Sequence, residues 1–431
     1  MYYIIKMDLT KNILIFDKEQ WKKTGFAERI YDTKTYDNMS VHINYIVNNF
    51  CGQIQSSIGD YNSDNIYYLT GDVNTFDIKQ FTNTFYIVNE LTYGFPYGPP
   101  KDDSLKLYIK QNKNGTMINI GKLPININNV GVYFRHYFDY KDYFSSLTKE
   151  HQFQDLTESN KPGTSYRKGI YITNVDKIDE TYKFKLLRCS TNLKGPTDNI
   201  RETDTEIINR VNKISKNFFE GYSELNHVLA QIYNNTIIEN KEKKAKIKCH
   251  SDKTKDMPSN GLMAFCTFYD FSKINKYITT NQIKKYDYDY YYKDTSVLTK
   301  LRFRLKNMVN DEKYIKEFDI TLYPNSVFIM PLLMNRLYTH EIVPPHISID
   351  KMPTRMGYVI RCSKTDAIFN CNNNQTYIMN DNKLIKLEKP TEDDIKKLKE
   401  LYADENLTDK VVEYNNIYFS LNDGDYTKPN Y

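Results

Sequence analysis

The chain has a single tryptophan, Trp21, and only six cysteines in 431 residues, none of them in a C-x-x-C pair. Cys51, Cys189, Cys249, Cys266, Cys362 and Cys371 are too sparse for a disulfide scaffold and wrongly spaced for a zinc module, so a reducing interior is expected. No window approaches the roughly 20 consecutive apolar residues that span a bilayer, and the opening run M-Y-Y-I-I-K-M-D meets an acid before any stretch of signal-peptide length. A soluble, unsecreted protein without a membrane partner follows, in the cytoplasm or nucleus. A large charge excess is missing too: 59 Lys and Arg against 54 Asp and Glu leave +5, short of the dense positive surface that by itself marks nucleic-acid binding. Histidine is scarce, and the seven at 42, 136, 151, 227, 250, 340 and 346 restrict any imidazole site to a short choice.

What the chain does have is 40% hydrophobic and 14% aromatic residues, enough to build buried cores. The fold class expected is α+β, mainly β. Residues 1–130 alternate short aromatic or β-branched runs (Tyr2–Ile5, Ile13–Phe16, Tyr67–Leu69, Phe85–Val88) with Asn/Asp/Gly turns, which predicts a β-rich region with little helix. G-F-P-Y-G-P-P-K-D-D at 94–103 reads as a loop. Helices are predicted from Asp139, as N-cap, to Glu150, from Thr203 to Glu220, and after Pro390-Thr391, where Asp394 completes a capping pattern. Candidate strands are Val228–Tyr233, Lys246–Asp252, Leu262–Phe268, Leu298–Leu305, Phe318–Leu322, Ser326–Met330 and Tyr358–Arg361. The Tyr-, Lys- and Asp-rich stretch 271–294 reads as a surface insertion. Three regions result: 1–130, a domain at 131–365, and a C-terminal extension at 366–431.

H-S-D at 250–252 is the chain's sole H-x-D. On an extended strand, residues i and i+2 share a face about 6.6 Å apart, so His250 and Asp252 can converge on one ion while Ser251 points away. A lone strand histidine is ordinarily a hydrogen-bonded core residue. Downstream partners change that reading: His340 follows the strand N-S-V-F-I-M, whereas His346 sits after Pro344-Pro345 in a connection. Two imidazoles and one carboxylate on one face of Fe(II) leave three positions for O2 and a bidentate organic acid. In R-M-G-Y-V-I-R at 355–361, Arg355, Gly357, Val359 and Arg361 alternate onto one face. Two buried guanidinium groups there would match the carboxylates of a dicarboxylate co-substrate, a geometry lysine cannot offer.

These residues resemble the AlkB-like branch of the Fe(II)/2-oxoglutarate dioxygenases. L-N-H-V-L-A-Q-I-Y at 225–233 is similar to the family's F-N-x-x-L-x-N-x-Y strand, H-S-D-K at 250–253 to its H-x-D motif, Y-P-N-S-V-F-I-M at 323–330 to its G-S-L-L-V-M strand, and R-M-G-Y-V-I-R to its R-x-[NS]-x-T-F-R signature. The resemblance covers residues 130–365 and implies a double-stranded β-helix, or jelly roll, with flanking helices. It implies His250, Asp252 and His340 as metal ligands, Arg355 with the Tyr233 hydroxyl on the distal carboxylate of 2-oxoglutarate, and Arg361 with Gln231 near its metal-bound end. It further implies a lid at L-T-E-S-N-K-P-G-T-S-Y-R-K-G-I-Y, 156–171, where Tyr166 or Tyr171 would stack on a flipped base of DNA or RNA and Arg167 and Lys168 would hold phosphate. The expected activity is oxidative demethylation or hydroxylation of a nucleic-acid base, with succinate and CO2 released from 2-oxoglutarate and O2. The alternatives are the same chemistry on a protein side chain or small molecule, and a non-catalytic nucleic-acid-binding module.

Overall fold

The structure, a computed structural model, describes residues 7–18, 43–93, 102–110, 113–139, 141–157, 164–188, 193–270, 272 and 296–431. The expected strand Tyr2–Ile5, Trp21 and, apart from Ser272, the insertion at 271–294 lie outside them. The described chain is mainly β, with several sheets and few helices, and divides into two compact units: residues 7–137 with 217–220, and 138–216 with 221–431. No helix of the described residues is long and apolar enough to cross a membrane.

In the first unit, Asn12–Ile15, Gln53–Gln55, Ile66–Asp72, Phe85–Tyr93 and Gly115–Ile118 form a sheet in the order 53–55, 12–15, 66–72, 85–93, 115–118, every pairing parallel. Parallel neighbours need crossover connections, which are usually helical. Helices at 43–49 and Asp102–Lys110 lie in two of them, correcting the expectation of little helix and of a loop reaching residue 103. Ile13, Ile15, Tyr67, Leu69, Phe85 and Ile87 form its core, and Tyr108 of the helix donates to the carbonyls of Val73 and Phe76.

The second unit is built on eight strands, numbered here in chain order: β1 His227–Tyr233, β2 Ile247–His250, β3 Leu262–Tyr269, β4 Lys300–Leu305, β5 Glu317–Thr321, β6 Ser326–Pro331, β7 Tyr338–Val343 and β8 Arg355–Arg361. They lie in two antiparallel sheets, in the orders β1-β8-β3-β6 and β2-β7-β4-β5. Apart from the β4–β5 hairpin, each step along the chain crosses from one sheet to the other. Aromatic rings join the facing surfaces: Phe265 of β3 meets His340 of β7 at 5.4 Å between centroids, and Phe303 of β4 meets Phe328 of β6 at 5.6 Å. The first sheet is covered on its other side as well, where Phe268 stacks on Tyr143 of the helix Tyr143–Glu150. Strands buried on both faces read as unbroken apolar runs, and every residue of L-M-A-F-C-T-F-Y and S-V-F-I-M-P is buried.

Beyond β1 that sheet continues with Thr164–Thr173 and then Asp198–Asn199. A further antiparallel sheet runs Val175–Ile178, Thr181–Leu186, Thr365–Asn370, Gln375–Asn380, Lys383–Lys386, so residues after 365 build the same unit. The helix Glu392–Leu407 opens on the expected Thr391/Asp394 capping box. Two helix boundaries differ from expectation. Asp142, not Asp139, caps Tyr143–Glu150, its carboxylate accepting from the Ser145 N–H at 2.9 Å, while Asp139 pairs with Arg210 at 2.9 Å. The helix Glu202–Ser215 stops before residues 217–220, which belong to the first unit.

A buried charge pins these helices to the sheet. His151 Nδ1 lies 2.9 Å from Asp198 and Nε2 2.7 Å from Asp204, whose other oxygen accepts from the Tyr358 hydroxyl at 2.7 Å. Burial opposes the charge, but the two carboxylates outweigh it and raise the imidazole to about 9. Because that value exceeds the unfolded one, the contribution to stability is complete below about pH 6.5 and is lost as pH rises through about 9. Thermal melts should therefore fall by several degrees between pH 6.5 and 9.5, and His151→Leu should flatten that slope; an unchanged slope in the variant contradicts the assignment.

Candidate metal centre

β2 and β7 pair so that His250 and His340 are register partners, and their rings lie 4.5 Å apart between centroids. β2 ends at His250, so Asp252 is not on the strand as expected. It is presented by a loop tied down at each residue. The Ser251 N–H donates to Asn406 Oδ1 at 2.8 Å and its hydroxyl to the carbonyl of Tyr338. Asn335, in the short helix Leu332–Leu337, accepts from the Asp252 N–H at 2.8 Å and donates to its carbonyl at 2.9 Å, imitating the ladder the strand no longer supplies. Asp252 Oδ1 comes within 3.5 Å of His250 Nε2 and 4.0 Å of His340 Nε2.

The surroundings orient His250 and set the charge of the other two groups. His250 Nδ1 donates to the carbonyl of Lys248 at 2.8 Å, which orients the ring with Nε2 toward Asp252. Burial lowers His340 to about 3, so its imidazole is neutral. Burial would raise the Asp252 carboxyl, but Arg361 outweighs it and holds the group far below the ordinary range. Arg361 places Nε at 2.7 Å and Nη2 at 2.6 Å from Oδ2, leaving Oδ1 to the imidazoles. His250 is about a third exposed while Asp252 and His340 are buried, so the site opens at His250. His346 is exposed between β7 and β8.

The arginine run forms β8, and its register lays out a lane. Arg355, Gly357, Val359 and Arg361 stand opposite Tyr233, Gln231, Leu229 and His227 of β1, and opposite Tyr269, Thr267, Phe265 and Met263 of β3. Arg355 is 3% exposed, its guanidinium lies over the Tyr233 ring at 4.1 Å, and Nε and Nη2 have no hydrogen-bond partner among the described residues. A Cβ at Gly357 would come within 3.1 Å of that guanidinium, so a residue without a side chain keeps the lane open. Tyr233 donates to Gln231 Oε1 at 3.3 Å, so its hydroxyl engages Gln231 rather than Arg355. Arg361 bonds Asp252, while Gln231 sits two register positions further along the lane, opposite Gly357.

The expected lid is corrected: 158–163 lie outside the described residues, and Thr164–Thr173 is a ten-residue strand of the sheet. Tyr171 is buried edge-on against His227 at 5.1 Å, leaving no face for a base. Arg167 is buried in register with Tyr233, in the same row as Arg355, with Nε unpartnered among the described residues. Lys168 points the other way, 3.8 Å from Asp155, and Tyr166 has a left-handed backbone, φ 54°. Sequence reasoning missed Asn335, which carries no motif, and His227, a wholly buried imidazole with neither nitrogen bonded among the described residues and burial lowering it to about 3. Glu150, His151 and Asp204 also cluster, but each His151 nitrogen already faces a carboxylate, so the ring has no lone pair to offer an ion.

No protein-family model and no curated protein matches this chain. Among solved structures it is similar to a Pseudomonas putida prolyl-4-hydroxylase, at 11% identity over 53% of this chain and 91% of that one with TM-score 0.28, and to OsALKBH1, at 11% identity over 54% and 97% with TM-score 0.30. Likeness at that level carries no weight beside the geometry above.

Removing Arg361 leaves the Asp252 carboxylate buried without its cation, a loss typically of about 3–5 kcal/mol. Arg361→Leu alone should therefore cost far more stability in chemical denaturation than Arg361→Leu combined with Asp252→Asn; additive losses contradict the coupling.

Proposed function

We propose that the chain is an Fe(II)/2-oxoglutarate-dependent dioxygenase of AlkB-like type, with β1–β8 as its double-stranded β-helix. One observation carries this reading: three convergent donors, and on the facing sheet a buried guanidinium, Arg355, whose Nε and Nη2 have no partner among the described residues. His250 Nε2, Asp252 Oδ1 and His340 Nε2 would hold the metal, and Arg355 would pair with the distal carboxylate of 2-oxoglutarate. Arg167, in the same row, adds a second cation at that end. Arg361 keeps Asp252 ionised and aims one oxygen at the metal, and Phe265 and Phe303 shield His340 from water. Bound iron would supply O2 activation coupled to decarboxylation of 2-oxoglutarate to succinate and CO2, with oxidation of a substrate C–H bond.

A nucleic-acid base is the substrate this reading favours; where the oxidised carbon is an N-methyl, the hydroxymethyl product splits into formaldehyde and the bare amine of the base. Support comes from the open side: Lys246 and Lys248 are exposed just before His250, the least buried member of the triad, and could take phosphate.

Purified protein with Fe(II), ascorbate and 2-oxoglutarate should make succinate, and His250→Ala and Arg355→Ala should each abolish it. No succinate from metal-replete protein removes the enzyme reading. Formaldehyde release from methylated single- and double-stranded oligonucleotides tests the substrate; faster turnover of a methyl-free peptide would move the same chemistry to a protein side chain.

A further inference from the structure

Beside the elements that secure the Asp252 loop, the second unit holds a cavity of about 710 Å³ that none of the three metal donors lines. Its walls are the segment 254–259, the helix Leu332–Leu337, the strand Gln375–Asn380 and residues 410–418. That volume is typical of sites for small molecules. Leu332, Leu333, Ile378 and Val412 give it apolar walls, and Met379 and Val411 are 39% and 42% exposed on its lining. Large apolar side chains left partly in water around a concave space are a cost that an occupant would remove.

Part of the lining is cationic. Arg336, Lys364 and Lys410 line the cavity, and Arg336 Nε is enclosed with no hydrogen-bond partner among the described residues. Lys255 also lines the cavity; of the other inner charges, Arg188 closes on Asp256 at 2.6 Å, and Glu405 accepts from the Thr254 N–H and hydroxyl and from the Tyr414 hydroxyl. Glu413 on the lining stands exposed.

We propose that this cavity is a binding site for a small organic anion with an apolar body, its carboxylate or phosphate group held by Arg336 with Lys364 and Lys410. A planar guanidinium whose Nε is enclosed and unbonded is matched by two oxygens of such a group, while the aliphatic wall takes the remainder. The inference rests on the cavity and not on the function proposed for the metal centre.

The probe is 1-anilinonaphthalene-8-sulfonate, an anion on an apolar ring system, titrated by fluorescence against the full chain. The expected result is saturable one-to-one binding, undisturbed by excess 2-oxoglutarate, weakened at least tenfold by Arg336→Gln and abolished by Val411→Trp, which fills the cavity from a partly exposed position. Circular dichroism establishes that both variants fold, and Lys410→Gln, at an exposed position, should weaken the dye in the same direction if Arg336→Gln does not fold. Displacement by decyl phosphate alone assigns a phosphate ligand, and by decanoate alone a carboxylate. Equal dye affinity in all the variants, or no displacement by either anion, overturns the proposal.

Discussion

The ion pair between Asp252 and Arg361 is the constraint on which the rest of the centre depends. A carboxylate this deeply buried stays ionised only because a guanidinium places two nitrogens on one of its oxygens. That contact frees the other oxygen for the imidazoles and fixes where the loop after β2 must run. The loop is then secured from outside the two sheets, by Asn335 on one side and by Asn406 and Glu405 of the C-terminal helix on the other. The residues after 365 therefore help to position the donors.

Two buried histidines show how surroundings decide a side chain's role. His151 sits between two carboxylates and is held charged, a structural cation with no lone pair to give. His340 faces one carboxylate already neutralised by Arg361, with aromatic rings on its other sides, and is held neutral. The same ring is a pin in one place and a potential ligand in the other.

Much of this was legible in the sequence because period-two patterns survive tertiary packing. The alternation in R-M-G-Y-V-I-R placed both arginines on one face, and the register with β1 bears this out. The spacing His250-x-Asp252 correctly put the two side chains together, though the strand ends at His250 and side-chain amides finish the work of a ladder. What stayed hidden depends on distant partners. Nothing local distinguishes Asn335 from the chain's many other asparagines, and Asp139 reads as good a cap as Asp142, yet it pairs with Arg210. The run Arg167–Tyr171 has turn-like neighbours yet pairs residue for residue with β1, so most of a predicted lid became sheet. Parallel pairing in the first unit was likewise invisible, since strand runs alone do not fix direction.

The most direct measurement is anomalous diffraction at the iron edge from crystals soaked anaerobically in Fe(II). The account predicts one principal peak bounded by His250 Nε2, Asp252 Oδ1 and His340 Nε2, with Arg361 still on the far oxygen of the carboxylate. A principal peak elsewhere, or the imidazole of residue 340 turned away from the other two donors, would contradict it.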